Sequence, residues 1–181
     1  MTTNLIDYSL NKIPLKKDWG FYILPFDLPN ENFGEFEPII KLYRSKILPI
    51  KNTKIPTWKC FNFSDFIGWH HYIALSEVDC ENYMPRFRIM PTGIIKIIEK
   101  DFTGGTLDSI IENATREDIQ TYIKELMSGP HFGLASGSLT VKSGATNFIR
   151  SLYLPLTLNG EKVEQFIHVI SVNHTQKKSV L

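Results

Sequence analysis

Five histidines, two cysteines and one close pair of carboxylates are the residues with which this chain could do metal or acid–base chemistry. Two imidazoles hold one ion only if they meet on one face. His70 and His71 are adjacent in a predicted strand, so they point to opposite sides. His131 falls in a predicted loop, and His168 and His174 are spread along a strand end. The sequence has no HxH, no HExxH and no Cys/His quartet, so no metal site is expected. Cys60 and Cys80 lack metal-binding spacing and read as two reduced thiols, as in a cytoplasmic protein. Glu99 and Asp101 are close together at a predicted helix end, where carboxylates cap amides. There is no G-x-S-x-G, no glycine-rich phosphate loop and no kinase or cyclase motif. One pair, His168 with Tyr153, could give an acid and a base on a sheet's inner face. The chain is therefore expected not to be an enzyme. The alternative is an α+β enzyme or small-molecule carrier with a sheet-lined pocket.

The elements that would position these residues belong to one ordinary globular chain. At 181 residues it buries enough surface to need no disulfide. A hydrophobic fraction of 43% and a charged fraction of 22% place it among ordinary globular proteins. A net charge of +1 argues against a general nucleic-acid binder, which carries a strongly basic face. Between Lys41 and Lys59 lie only basic charges, including Arg44, Lys46, Lys51 and Lys54; this stretch reads as a solvated helix face and linker. No apolar run reaches the ~18 residues of a membrane span, and the N-terminus lacks the pattern of a signal peptide.

Residues 1 to 32 are punctuated by Pro14, Pro25 and Pro29 and read as an irregular arm carrying Trp19, Phe21 and Phe26. Asn32 is placed as the cap of a helix whose regular part runs from Glu37 to Ile47, with Ile39, Ile40, Tyr43 and Ile47 on one face. Ser64 and Asp65 are placed as the cap of a short helix through Gly68. Five strands are expected: Trp69–Glu77, Arg86–Met90, Gly133–Lys142, Asn147–Leu158 and Val163–Val172. The last two are joined at Asn159-Gly160, a strong hairpin signal. Between the second and third strands come a turn at Pro91-Thr92-Gly93, a helical run from Ile94 to Lys100, and a helical start at Thr106-Leu107-Asp108. A longer helix follows, capped by Thr115 and Asp118 and facing inward with Ile119, Tyr122, Ile123 and Leu126. The fold class is α+β, an antiparallel sheet with helices covering one face. Thr103-Gly104 and Asp101 sit where one helix ends and another begins, so glycine supplies positive φ and the aspartate a cap. Arg88 is expected to pair with Asp101 or Asp108 and tie the helices to the sheet.

This order resembles the PAS domain, whose five-stranded antiparallel sheet carries its helices between the second and third strands. It is similar, more narrowly, to a bacterial stand-alone PAS-like family with motifs of the form RYRLxGT, DLTGxxLD and LPLxxxG. Here Arg86-Phe87-Arg88-Ile89 and Thr92 stand in the first. Asp101-Phe102-Thr103-Gly104 and Leu107-Asp108 stand in the second, and Leu154-Pro155-Leu156 and Gly160 in the third. Pro91 replaces a usual glycine. The resemblance implies a PAS-like domain over 58–174, an N-terminal arm and helix over 1–57, and a tail over 175–181. It implies a non-catalytic sensory module that binds a small ligand or a protein partner and signals by protein contact. A ligand-free interaction module is the other reading. Haem is disfavoured because Thr115 to Met127 holds no histidine. Flavin of the photosensor type is disfavoured because Gly104 to Asn113 holds no cysteine.

A pocket for a small apolar or amphipathic ligand is expected between sheet and helices. Its lining is assigned to Phe87, Ile89, Ile98, Leu107, Ile111, Tyr122, Leu139, Leu152 and Phe166. A homodimer is also expected, through the Glu37–Ile47 helix and the aromatic arm before it.

Overall fold

The computed structural model describes residues 12–13, 19–47, 55–111, 116–141 and 143–174. Thr115, Lys142, Lys51, Lys54 and the tail lie outside them. Seven antiparallel strands form one sheet: β1 (Lys12–Ile13), β2 (Gly20–Pro25), β3 (Ile73–Asp79), β4 (Met84–Ile89), β5 (His131–Thr140), β6 (Thr146–Leu156) and β7 (Gln165–His174). Their spatial order is β1-β2-β5-β6-β7-β3-β4. The five predicted strands are contiguous in this order, and the fold is α+β as expected. The helices α2 (Thr92–Ile98) and α3 (Arg116–Met127), with a 3₁₀ turn at Leu107–Ser109, lie in the chain between the second and third of those five. No helix among the described residues is long and apolar enough to cross a membrane.

The irregular arm is a correction. Gly20 to Pro25 extends the sheet by pairing with β5, from Gly20 opposite Ser136 to Pro25 opposite His131. Pro25 ends this strand and Pro29 lies beyond it, where a missing amide costs nothing in the ladder; Pro14 is outside the described residues. The alternation of Phe21 with Tyr22 and Leu24 then serves both faces of the sheet.

The two faces carry separate layers. On one, α1 (Glu37–Ile47) packs with Ile39, Ile40 and Tyr43 buried against Phe132, Leu152, Leu154, Ile167 and Val169. Glu37 opens this helix, and Arg44 and Lys46 close it, matching its dipole. Arg44 donates to the carbonyls of Phe26 (2.8 Å) and Leu28 (2.6 Å) and to Asn30 Oδ1, which fixes the path from β2 into the helix. The stripe assigned to a dimer is thus covered by the chain's own sheet, and Trp19 and Phe21 are buried in the opposite layer. An exposed sheet face must be covered, and here the chain covers its own.

On the other face, α2, the 3₁₀ turn and α3 cover β-strand residues including Ala135, Ile149, Tyr153 and Phe166. α3 buries Ile119, Tyr122, Ile123 and Leu126 as its periodicity predicted. Trp69 to Tyr72 is not strand: a 3₁₀ turn occupies His70–Tyr72, and β3 starts at Ile73. The short helix near Ser64 is a 3₁₀ turn over Phe63–Phe66. Its capping box is made by Asn62 and Asp65, two positions before and one after Ser64. Asn159-Gly160 lies inside a longer connection from Thr157 to Glu164, since pairing of β6 with β7 stops at Leu156 opposite Gln165. Gly160 still takes the left-handed conformation, with φ of 91°.

Candidate functional site

A β-bulge decides which side chains reach the space between the sheet and α2. On β4, Phe87 stands opposite Ser76, but Ile89 stands opposite Leu75, so Arg88 is the extra residue. The bulge reverses the alternation. Phe87 enters the layer under α2, whereas Ile89 emerges on the other side, 46% exposed, beside Ile73 and Leu75. The sequence reading placed Phe87 and Ile89 together because a regular strand repeats every two residues.

Under α2 lies a cavity of about 50 Å³. Of the residues assigned to a pocket, Phe87, Ile98, Leu107 and Ile111 stand in its wall. Tyr122 and Phe166 are buried in the same layer outside the cavity wall, and Leu139 is half-buried against that layer. Leu152 is a correction. It faces α1, because on β6 the odd positions Ile149, Ser151 and Tyr153 point to the cavity. The inner half of β6 is buried on both sides, so its sequence carries no alternation from which to choose a face.

Sequence reasoning missed ten of the fourteen lining residues, among them Trp19, Ser151, Tyr153 and His168. The last two were legible only as a possible acid–base pair. Their rings meet edge to face, with centroids 4.4 Å apart. His168 is buried, and its Nε2 lies 2.7 Å from Ser76 Oγ on β3. Burial lowers its pKa to about 3, so the ring is neutral at physiological pH. Burial likewise pushes the Tyr153 and Tyr122 hydroxyls up. The site is an apolar cavity with a neutral polar corner of Ser151, Tyr153 and His168. It can hold an uncharged guest and offer it hydrogen bonds; it has no charge to activate a nucleophile or stabilise an anion. Among the described residues no cluster of His, Cys, Asp and Glu could hold a metal ion.

The second motif is structural where it is visible. Asp101 Oδ1 accepts from the Thr103 amide (2.8 Å) and hydroxyl (2.7 Å), and these bonds, the amide first, hold its carboxyl below the usual range. Gly104 follows with φ of 80°. Its amide donates to Phe87 O (2.8 Å), and the Phe87 amide donates to Gly105 O (2.9 Å). The loop so covers part of the edge of β4. Arg88 pairs with neither expected acid. Its Nε lies 3.3 Å from Glu77 on the neighbouring strand, while Asp108 pairs with Arg116 at 3.3 Å. The bulge turns Arg88 toward β3 and away from the helices. Arg86 is the arginine that reaches the loop, donating to Gly104 O at 3.0 Å.

No protein-family model matches the chain, and comparison with curated proteins found no match. Among solved structures it is similar to the PAS domain of an HTR-like protein from Haloarcula marismortui, with a TM-score of 0.46 and 14% identity over 60% of this chain and 92% of that one. A PAS domain from the fruit-fly ELK potassium channel gives 0.46 and 13%, over 64% of this chain and all (100%) of that one. An RNA-binding light-oxygen-voltage receptor gives 0.46 and 11%, over 64% of this chain; the match spans only 35% of the receptor. Identities of this size say nothing of ligand or partner.

Proposed function

We propose that the chain is a non-catalytic PAS-like sensory module of the cytoplasm, which receives a small uncharged ligand under α2 and passes the change on by protein contact. The supporting observation is the cavity itself: apolar walls from α2 and the following turn, with Ser151, Tyr153 and His168 grouped at one corner. A purely structural core gains little by lining a void with Ser151, Tyr153 and His168, the last of them already bonded to Ser76, since apolar side chains fill such a space without the desolvation cost of a polar group. The motif pattern of the sequence and the placement of α2 and α3 between the second and third of five strands agree with this reading.

The test is mass spectrometry of small molecules released from the purified protein. The reading expects a molecule that is retained by the native chain and lost from an Ala135→Leu variant, whose added side chain fills the cavity. Equal recovery from both counts against it. The same preparations report oligomeric state by light scattering, where a mass of one chain at micromolar concentration ends the homodimer.

A further inference from the structure

We propose that the guest of this cavity is a flat, neutral aromatic molecule that takes the place of the Trp19 indole. The inference rests on the ligand reading above and adds the guest's class and the group it displaces.

Size carries the argument first. At about 50 Å³ the cavity is a third of the roughly 150 Å³ that holds a benzene ring. A ring therefore enters only if a wall side chain leaves. Part of the wall stands on strands held on both edges. Ile149, Ser151 and Tyr153 are on β6, and His168 and Ile170 on β7, both paired along each edge or packed between layers. Trp19 is different. It lies one residue before Gly20, the first residue of β2 paired to β5, so its side chain withdraws without breaking a strand pair. Among the described residues, β2 is bounded on its outer side by the two-residue β1.

Shape is the second part. The indole lies against Gly137 of β5: a Cβ at that position would fall 2.4 Å from Trp19 Cδ2. The absence of a side chain gives a flat floor for a flat ring. Trp19 is nevertheless 94% buried, being 6% exposed, so the slot is a true interior site already filled by an aromatic group of the chain itself. Chemistry is the third part. Ser151, Tyr153 and His168 give the guest neutral hydrogen-bonding partners, and no ionised group lines the cavity. A charged guest would lose its hydration without compensation.

The experiment uses ¹⁹F NMR of the full chain labelled with 5-fluorotryptophan, with indole as probe. The three tryptophans, Trp19, Trp58 and Trp69, give three signals, and Trp19→Phe assigns the first. Indole is expected to move the Trp19 signal to the position of an exposed fluorotryptophan and to leave the other two in place. Trp19→Ala, whose slot has no internal competitor, is expected to bind indole at least about tenfold more tightly than the wild type. Binding with an unmoved Trp19 signal overturns the displacement and leaves the ligand reading standing. Binding by Trp19→Ala alone, with none by the wild type, assigns Trp19 to the core and also overturns it. Retention of some other small molecule by the wild type, with no indole bound by either protein, overturns the aromatic class. Failure of both proteins to hold any small molecule overturns this inference and the ligand reading together.

Discussion

The two faces of the sheet are packed by different rules. Under α1 the layer is closed by aromatics: Tyr43, Phe26 and Phe33 surround Phe132, and the Tyr43 hydroxyl donates to Pro155 O at 2.5 Å. The partly buried Arg44 guanidinium is satisfied by two carbonyls and an amide oxygen and lies over the Phe33 and Phe132 rings. Under α2 and α3 the layer contains the 50 Å³ void and buried polar groups from Ser76, Ser151, Tyr153, His168 and Tyr122. On the α1 face Tyr43 and Arg44 are used in holding the fold, while Arg150, paired with Glu35, keeps a buried Nε without a hydrogen-bond partner among the described residues. On the other, Ser151, Tyr153 and His168 line the void, His168 also bonding to Ser76. The proposed ligand site rests on that void, on the α2 side.

The comparison is tested hardest at Phe132. It is wholly buried at the centre of the α1 layer, and removing its ring leaves a cavity that Tyr43, Phe26 and Phe33 cannot all collapse into. Phe132→Ala is expected to cost about 3–5 kcal/mol by chemical denaturation. A loss below about 1 kcal/mol would mean that this layer is as loose as the other. The second test is on the α2 side and uses pH. The folded pKa of His168 is lowered to about 3 by burial, against about 6.5 unfolded. Above pH 6.5 both states are neutral and there is no effect. As pH falls from 6.5 toward 3 the unfolded state takes up the proton and the folded state does not, so stability is lost by up to about 1.4 kcal/mol per pH unit. His168→Leu should flatten this slope between pH 6.5 and 4.5, above the range where carboxylates titrate. An unchanged slope would place the imidazole in water.

A third, smaller effect separates a satisfied from an unsatisfied hydroxyl. Tyr122 is fully buried, stacks on Phe21 with centroids 4.6 Å apart, and among the described residues its hydroxyl has no hydrogen-bond partner. Tyr122→Phe keeps the ring and removes the stranded oxygen. It is expected to be neutral or to stabilise by about 1 kcal/mol. Tyr43→Phe, which removes a made bond, is the control and should destabilise.

The sequence made the fold legible where one rule operated alone. α3 is amphipathic with a single buried face, and its four inward residues were all assigned correctly. The five strands and the helices between them followed from alternation, turns and order. The site was half legible for the opposite reason. β6 is buried on both faces, so Leu152 and its neighbours Ser151 and Tyr153 gave no sign of which way they point. The bulge at Arg88 has no marker in residue type, and it alone moved Ile89 out of the cavity. Trp19 was unreadable as a pocket residue because its neighbour across the sheet, Gly137, is more than a hundred residues away in the chain, and only pairing of β2 with β5 brings them together.

Arg88 gives the smallest effect. The sequence assigned it the task of tying the helical segment to the sheet, a role in which loss of a buried arginine–carboxylate bond would cost about 3–5 kcal/mol. In the structure its partner is Glu77, both side chains are about half exposed, and the separation is 3.3 Å. Such a pair is worth about 0.2–1 kcal/mol and weakens with salt. The attachment of the helical segment is instead made by the backbone, through Gly104 to Phe87 and Phe87 to Gly105, with Arg86 on Gly104 O. Arg88→Ala should therefore cost less than about 1 kcal/mol in low salt and close to nothing in 1 M salt. Arg86→Ala should cost more, since it removes a charged donor from a carbonyl. Equal losses, or a larger one at Arg88, would return the fastening of the α2 side to the bulged residue and remove the bulge's role in sorting the two faces.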